Sequence, residues 1–323
     1  MKKVLVMLLI LVTATSFVFT QGNQETSSAP YRLSISAGNT TGAFYIICTG
    51  LSNVINNSGS NIETTVEVSG GSIENALLMQ QGEVAMAIMG TDVAFQAVDG
   101  TINFAGNPYE GFRQIGQWHN SVVTIFATKA SGITNMSQMK GKKIAVGTPG
   151  GTQRQYFENL LKVYGMSYAD IITYDYNYSE AIDAAKDSLI DVVVVQGGIP
   201  NSNMLDLVST TATTCIEIDD WAIKKMCELY PYFSPFTMSA SVYNTGTDIR
   251  TLSVTNTIAL DKSVPDDVAY NITKAIYTNL DYLATVHSAC AEVTHDSAVS
   301  GYGTSIQFHP GALKFWKEMG KIK

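Results

Sequence analysis

Charge is scarce in this chain. Only 15% of its 323 residues are charged, against 46% hydrophobic. That balance describes a globular protein and excludes a disordered one. Basic residues are the scarcer kind, 20 Lys and Arg against 28 Asp and Glu, for a formal charge of −8. A surface this acidic argues against nucleic-acid binding, which needs a basic face. The four cysteines (Cys48, Cys215, Cys227 and Cys290) lie far apart or inside apolar patterns. They read as buried thiols, with Cys215–Cys227 as the one bridge to consider. The four histidines (His119, His287, His295 and His309) have no metal-ligand spacing. Also missing are G-x-S-x-G, a Walker-type phosphate loop and G-x-G-x-x-G. No catalytic group, cofactor or metal site is therefore expected. Beyond the N-terminus no stretch is long and apolar enough to span a bilayer, which takes about 20 residues.

The N-terminus itself is distinctive. Met1-Lys-Lys precedes an apolar run, Val4–Val18, followed by Thr20, Gln21 and Gly22. This is the layout of a cleavable signal peptide over 1–22, with a polar tether over 23–30. Losing Lys2 and Lys3 with it takes the charge from −8 to about −10. The chain is expected in the periplasm or otherwise outside the cytoplasm.

What remains contains one structural phrase written twice, about 110 residues apart. Leu33–Gly42 and Ile144–Thr152 each read as a strand, a Gly/Thr-rich turn and a helix. A second strand, helix and apolar strand follow each copy: Ile62–Val68 to Val84–Gly90, and Ile171–Tyr176 to Asp191–Gly197. Continuous apolar runs such as Val84–Met89 are expected of strands buried on both faces. Strands alternating with helices predict an α/β protein with mostly parallel sheets flanked by helices. Two strand-like stretches, Ser121–Thr128 and Thr251–Leu260, are candidates for a two-strand hinge. Pro265-Asp-Asp267 then starts a long helix expected to run through Val286. The expected organisation is lobe one over 31–124 plus 256–323, and lobe two over 125–255.

In such sheets ligands sit beyond the carboxyl ends of the strands, where the Gly-rich turns are. Helix N-termini there present free N–H groups and a partial positive charge, suited to an anion. In lobe two the candidate seat is Thr148, Gly150, Gly151, Thr152, Gln196 and Gly197. Arg154 is expected to add a bidentate cation, and Thr152-x-x-Gln155 has capping-box spacing. In lobe one the candidates are Thr40, Thr41, Gly42, Tyr45, Ser72, Thr91 and Asp92. Ser72, Ser179 and one of Thr91 or Asp92 are expected to cap helices. Trp118 and His119 are candidates for the cleft floor, and His295-Asp296 reads as a surface pair.

These stretches resemble a known family, the TAXI-type solute-binding proteins of tripartite ATP-independent periplasmic (TRAP) transporters. The resemblance rests on Ser36–Tyr45, Glu67–Asn75, Gly82–Asp92, Met139–Gly147 and His309-Pro-Gly-Ala312, in that order, and covers the chain from about Leu33 onward. It implies a two-lobe periplasmic-binding-protein type II fold joined by a two-strand hinge. It also implies a monomer that binds a glutamate-, glutamine- or dicarboxylate-like anion and delivers it to a membrane permease. The first turn lacks the family's usual proline, and Gly150-Gly-Thr-Gln153 stands where Gly-Ser-Gly-Thr is common. The alternatives are an exported enzyme using Asp92 or His119 as acid–base group, and a ligand sensor or surface antigen without transport.

Overall fold

The computed structural model describes residues 29–323, so the expected signal peptide and most of the tether lie outside the described residues. The first half runs β1 (Tyr31–Ser36), α1 (Ala43–Asn56), β2 (Ile62–Glu67), α2 (Ser72–Gln81), β3 (Met86–Gly90), α3 (Thr91–Asp99) and β4 (Phe112–Thr128). The repeat follows as β5 (Lys143–Ala145), α4 (Thr152–Val163), β6 (Ile172–Tyr174), α5 (Tyr178–Lys186), β7 (Val192–Gly197) and α6 (Ser202–Thr210). Next come β8 (Thr213–Cys215), α7 (Asp220–Leu229), β9 (Ser234–Met238) and β10 (Ile249–Asp261). The chain closes with α8 (Asp266–Tyr277), α9 (Leu280–Val286), α10 (His295–Ala298) and α11 (Pro310–Glu318).

The ten strands of the described residues join one sheet, in the order β2-β1-β3-β10-β4-β7-β5-β6, with β8 on β4 and β9 on β10. Each copy of the repeat is parallel: β1 with β2 and β3, β5 with β6 and β7. The two long strands are antiparallel to their neighbours, so the sheet is mixed. Their register shows how they cross. Asn256–Leu260 of β10 pairs with β3, whereas Ile249–Ser253 pairs with β9. On β4 it is Val122–Ala127 that pairs with β7. The β4–β10 ladder slips at Thr255/Thr257 and again at Ile258/Ala259, irregularities that bend a strand pair. Buried polar groups fasten this crossing: Asn256 donates to the His119 carbonyl at 2.7 Å and to Ser121 Oγ at 2.9 Å.

The core divides accordingly. Ile35, Ile47, Leu51, Ile272 and Trp316 belong to one cluster, and Val84, Met89, Val93 and Phe112 to its counterpart across the first half-sheet. In the second half, Ile144, Phe157, Leu160 and Met226 pack on one face, and Ile182, Val193, Val195 and Met204 on the other. Helices thus cover both faces of both halves, as parallel strands require.

Several local expectations need correction. The helix predicted from Pro265 to Val286 is interrupted at Thr278-Asn279, giving α8 and α9. The α5 cap is Asn177, in a capping box with Glu180, not Ser179. All four cysteines are free, Cys48 and Cys290 buried, Cys215 and Cys227 half-buried. The His309-Pro-Gly-Ala312 motif is structural. His309 Nδ1 accepts from Gly311 N at the head of α11, Pro310 opens the helix, and any Cβ on Gly311 would strike the Asp266 carbonyl.

Candidate functional site

A cavity of about 320 Å³ lies between the two halves of the sheet. Its walls are the turns that follow β1, β2, β5, β6 and β7, with Ser121 of β4 between them. These are carboxyl ends of parallel strands, where an α/β sheet places ligands. Five helices, α1, α2, α4, α5 and α6, begin at this cavity.

Three of them begin in the same way. The N-caps of α1, α2 and α4 are Gly42, Gly71 and Gly151, and none receives a side-chain cap. The expected caps by Ser72 and Thr152 are therefore not made. Both residues are the first of their helices instead, and their hydroxyls go elsewhere. Ser72 Oγ accepts from Gly90 N at 3.1 Å. Thr152 Oγ1 donates to Gln196 Oε1 at 3.1 Å, so no Thr152–Gln155 capping box forms. Gly71 has φ 105 and ψ −156, a conformation open in practice to glycine alone. Without a capping oxygen, the first N–H groups of each helix are left for a ligand. By contrast α5 and α6 are capped by the side chains of Asn177 and Asn201.

Buried amides hold these turns in place. Asn75, fully buried on α2, donates to the carbonyls of Ala37 and Ile88 at 2.7 Å each, and accepts from Ser36 Oγ at 2.6 Å and Ser69 Oγ at 2.5 Å. One side chain thus ties together the ends of β1, β2 and β3. Gln153 of α4 does similar work in the other half, donating to the Val194 carbonyl at 2.5 Å and packing against Gly147. Sequence reading named neither amide as a site residue. Their signal was a polar residue where helical periodicity places an apolar one. Phe44, Tyr176 and Tyr178 supply aromatic surface, with the Tyr178 hydroxyl donating to the Gln196 carbonyl at 2.5 Å.

Of the residues singled out from the sequence, Gly42, Ser72, Thr148, Gly151, Thr152, Gln196 and Gly197 line the cavity. The others stand around it. Thr40 and Thr41 are exposed at the rim, where the Thr41 carbonyl accepts from Ser202 Oγ of the opposite half at 3.5 Å. Tyr45 packs half-buried on the core. Gly150 shapes the turn with φ 79. Arg154 pairs with Asp175, its guanidinium 5.0 Å from the Tyr168 ring centroid.

Thr91 and Asp92 are buried, and the α3 cap is Gly90, not either of them. Asp92 is 1% exposed and faces Tyr156 of α4, across the boundary between the halves. The Tyr156 hydroxyl lies near enough to favour the charged carboxylate, yet neither Asp92 oxygen has a well-formed hydrogen bond. Burial dominates and pushes the Asp92 carboxyl up to about 6. His119 is fully buried beneath Gly198 and edge-on to Phe44. Burial, then His287, drives its imidazole down to about 3, so it is neutral. Trp118 points into the first core, edge-on to Tyr277. None of Asp92, Trp118 or His119 reaches the cavity wall.

Two half-sheets joined by crossing strands, with a cavity at the facing strand ends, define the architecture of the type II periplasmic binding proteins. The chain belongs to the NMT1-like family, whose profile matches residues 35–320. Among solved structures it is similar to one described as a periplasmic transporter, with 15% identity over 92% of this chain and 94% of the other, TM-score 0.53. It is also similar to PhnD1 of Prochlorococcus marinus in complex with methylphosphonate, with 10% identity over 91% and 100% of the two chains, TM-score 0.52. A structure from Methylobacillus flagellatus described as a periplasmic sulfonate-binding protein shares 12% identity over 91% and 96%, TM-score 0.50. At these identities the likeness is one of fold.

Proposed function

We propose that this protein is an extracytoplasmic solute receptor. It holds a small organic anion in the cavity between lobes 31–124 plus 256–323 and 125–255; the sequence resemblance implies an anion of the glutamate-, glutamine- or dicarboxylate-like class. It then passes the anion, as a monomer, to a TRAP-type membrane permease. One observation carries the anion reading: three helices from the two sides begin at the cavity with glycine caps that leave their N–H groups to a ligand. Phosphonate and sulfonate, named for two of the structural neighbours, are anions too. The permease partner rests on the sequence resemblance to TAXI-type proteins.

The energetics are adequate. Micromolar affinity needs about 8 kcal/mol. Helix N-termini contribute roughly 0.3–1 kcal/mol each, and hydrogen bonds to a charged group about 1.5–3 kcal/mol each. Three or four such bonds reach the required range. Thermal-shift screening against dicarboxylates, hydroxy acids, amino acids, sulfonates and sugars tests the proposal, because a ligand raises the melting temperature by mass action. An organic anion is expected to give the largest shift. Stabilisation by an uncharged sugar alone would end the anion reading.

A further inference from the structure

The anion reading can be narrowed by what the cavity offers to the rest of the ligand. Among the described residues, its wall contains no Asp, Glu, Lys, Arg or His. The carboxylates adjoining it are engaged elsewhere. Glu74 accepts from Gly70 N at 2.7 Å, and Asp175 pairs with Arg154. Every helix that begins at the cavity turns its positive end toward it. An ammonium group placed here would meet like partial charge and no counter-charge, and an unpaired buried charge costs several kcal/mol. A hydroxyl or keto oxygen meets no such obstacle, because Ser72, Thr148, Thr152, Asn177 and Gln196 all present neutral polar groups.

Resting on the anion reading above, we infer that the cavity selects organic acids with no cationic group and rejects amino acids of the same carbon frame. Its ligands are hydroxy-, oxo- or dicarboxylates, or the corresponding sulfonates. The preference arises from the neutral wall and the converging helix ends together. A single positive residue in the wall would serve amino acids and plain acids alike, whereas a wall of dipoles without an acidic partner separates them.

Three matched pairs test this by titration calorimetry on the purified protein: α-hydroxyglutarate against glutamate, isethionate against taurine, and tert-butylacetate against glycine betaine. The members of each pair share a frame and differ in the cationic nitrogen. The third pair is the strictest, because the quaternary ammonium of betaine can be held by aromatic faces such as Tyr176 and Tyr178 without any carboxylate. In whichever frame fits, the nitrogen-free member is expected to bind at least about tenfold tighter. Equal or tighter binding of the ammonium member overturns the inference while leaving the anion reading intact. Binding of an uncharged sugar with silence from every pair overturns the anion reading itself. Silence from all probes overturns both.

Discussion

Asp92 offers a sharp test of the packing between the two halves. It sits 1% exposed on α3 against Tyr156 of α4, with a carboxyl raised from 3.8 to about 6. Such a displacement corresponds to a penalty of about 3 kcal/mol for keeping the ionised form folded. Below the ordinary carboxyl range both folded and unfolded chains hold the proton, and the residue contributes nothing. Between about 4 and 6 the unfolded chain ionises while the folded chain keeps its proton, so stability falls as pH rises. Above about 6 the full penalty is present and constant. Asparagine has nearly the same shape and cannot ionise. Asp92→Asn is therefore expected to leave stability unchanged near pH 4 and to raise it at pH 8 by up to about 3 kcal/mol. At roughly 2 °C per kcal/mol for a chain of this size, that is up to about 6 °C in Tm. Scanning calorimetry of the parent and variant at both pH values reads the difference. A variant that melts lower at pH 8, or shifts equally at both pH values, would show that Asp92 is a satisfied carboxylate and that the burial argument is wrong.

Asn75→Ala removes four hydrogen bonds of a fully buried side chain and leaves the carbonyls of Ala37 and Ile88 without their partner. We expect a loss of about 2–4 kcal/mol in denaturant unfolding, and a change within about 0.5 kcal/mol would refute the stapling role. Arg154→Ala removes a partly exposed ion pair with Asp175 beside the cavity. It is expected to change ligand affinity no more than a few-fold, on the scale of about 0–1 kcal/mol typical of surface pairs. A hundredfold loss in calorimetric titration would place Arg154 in the seat after all.

The sequence carried the architecture because its signals were local and repeated. Two strand–turn–helix phrases became β1–α1 and β5–α4, and the apolar runs Val84–Met89 and Val192–Val195 became buried strands. The crossing strands were legible in position but not in length: β4 begins at Phe112, nine residues before the stretch that reads as a strand. Its first part mixes glutamine and arginine with apolar residues without alternation, and Gln114 is buried where the C-terminal segment returns to bond it, through Ile306 and Gln307. Contacts of that range leave no mark on local periodicity. The site was half legible for a related reason. Turn glycines announced the cavity, but Ser72 and Thr152 looked like caps because capping is what such residues do in isolation. Here the chain begins each helix one residue earlier, on Ser72 and Thr152 themselves, and their hydroxyls serve Gly90 and Gln196.

That offset bears directly on function, and Gly151 isolates it. Its φ of −79 and ψ of 146 are those of an ordinary N-cap, so a serine fits the backbone. The new Cβ would lie 3.2 Å from the Thr148 carbonyl, close but tolerable with a small shift. A glycine cap costs a helix only a few tenths of a kcal/mol relative to serine. The stability of α4 therefore gives little reason for either residue over the other. The difference lies in who uses the N–H groups. In Gly151→Ser the serine oxygen would occupy a donor otherwise free for the anion, and one charge-assisted bond is worth about 1.5–3 kcal/mol. The variant is thus expected to unfold at nearly the parent's denaturant concentration while binding its anion roughly 10- to 100-fold more weakly. Loss of stability and affinity together would point to a misfit at Thr148. Unchanged affinity in a well-folded variant would mean that the α4 terminus does not hold the ligand, and the anion seat would have to be sought at α1 and α2.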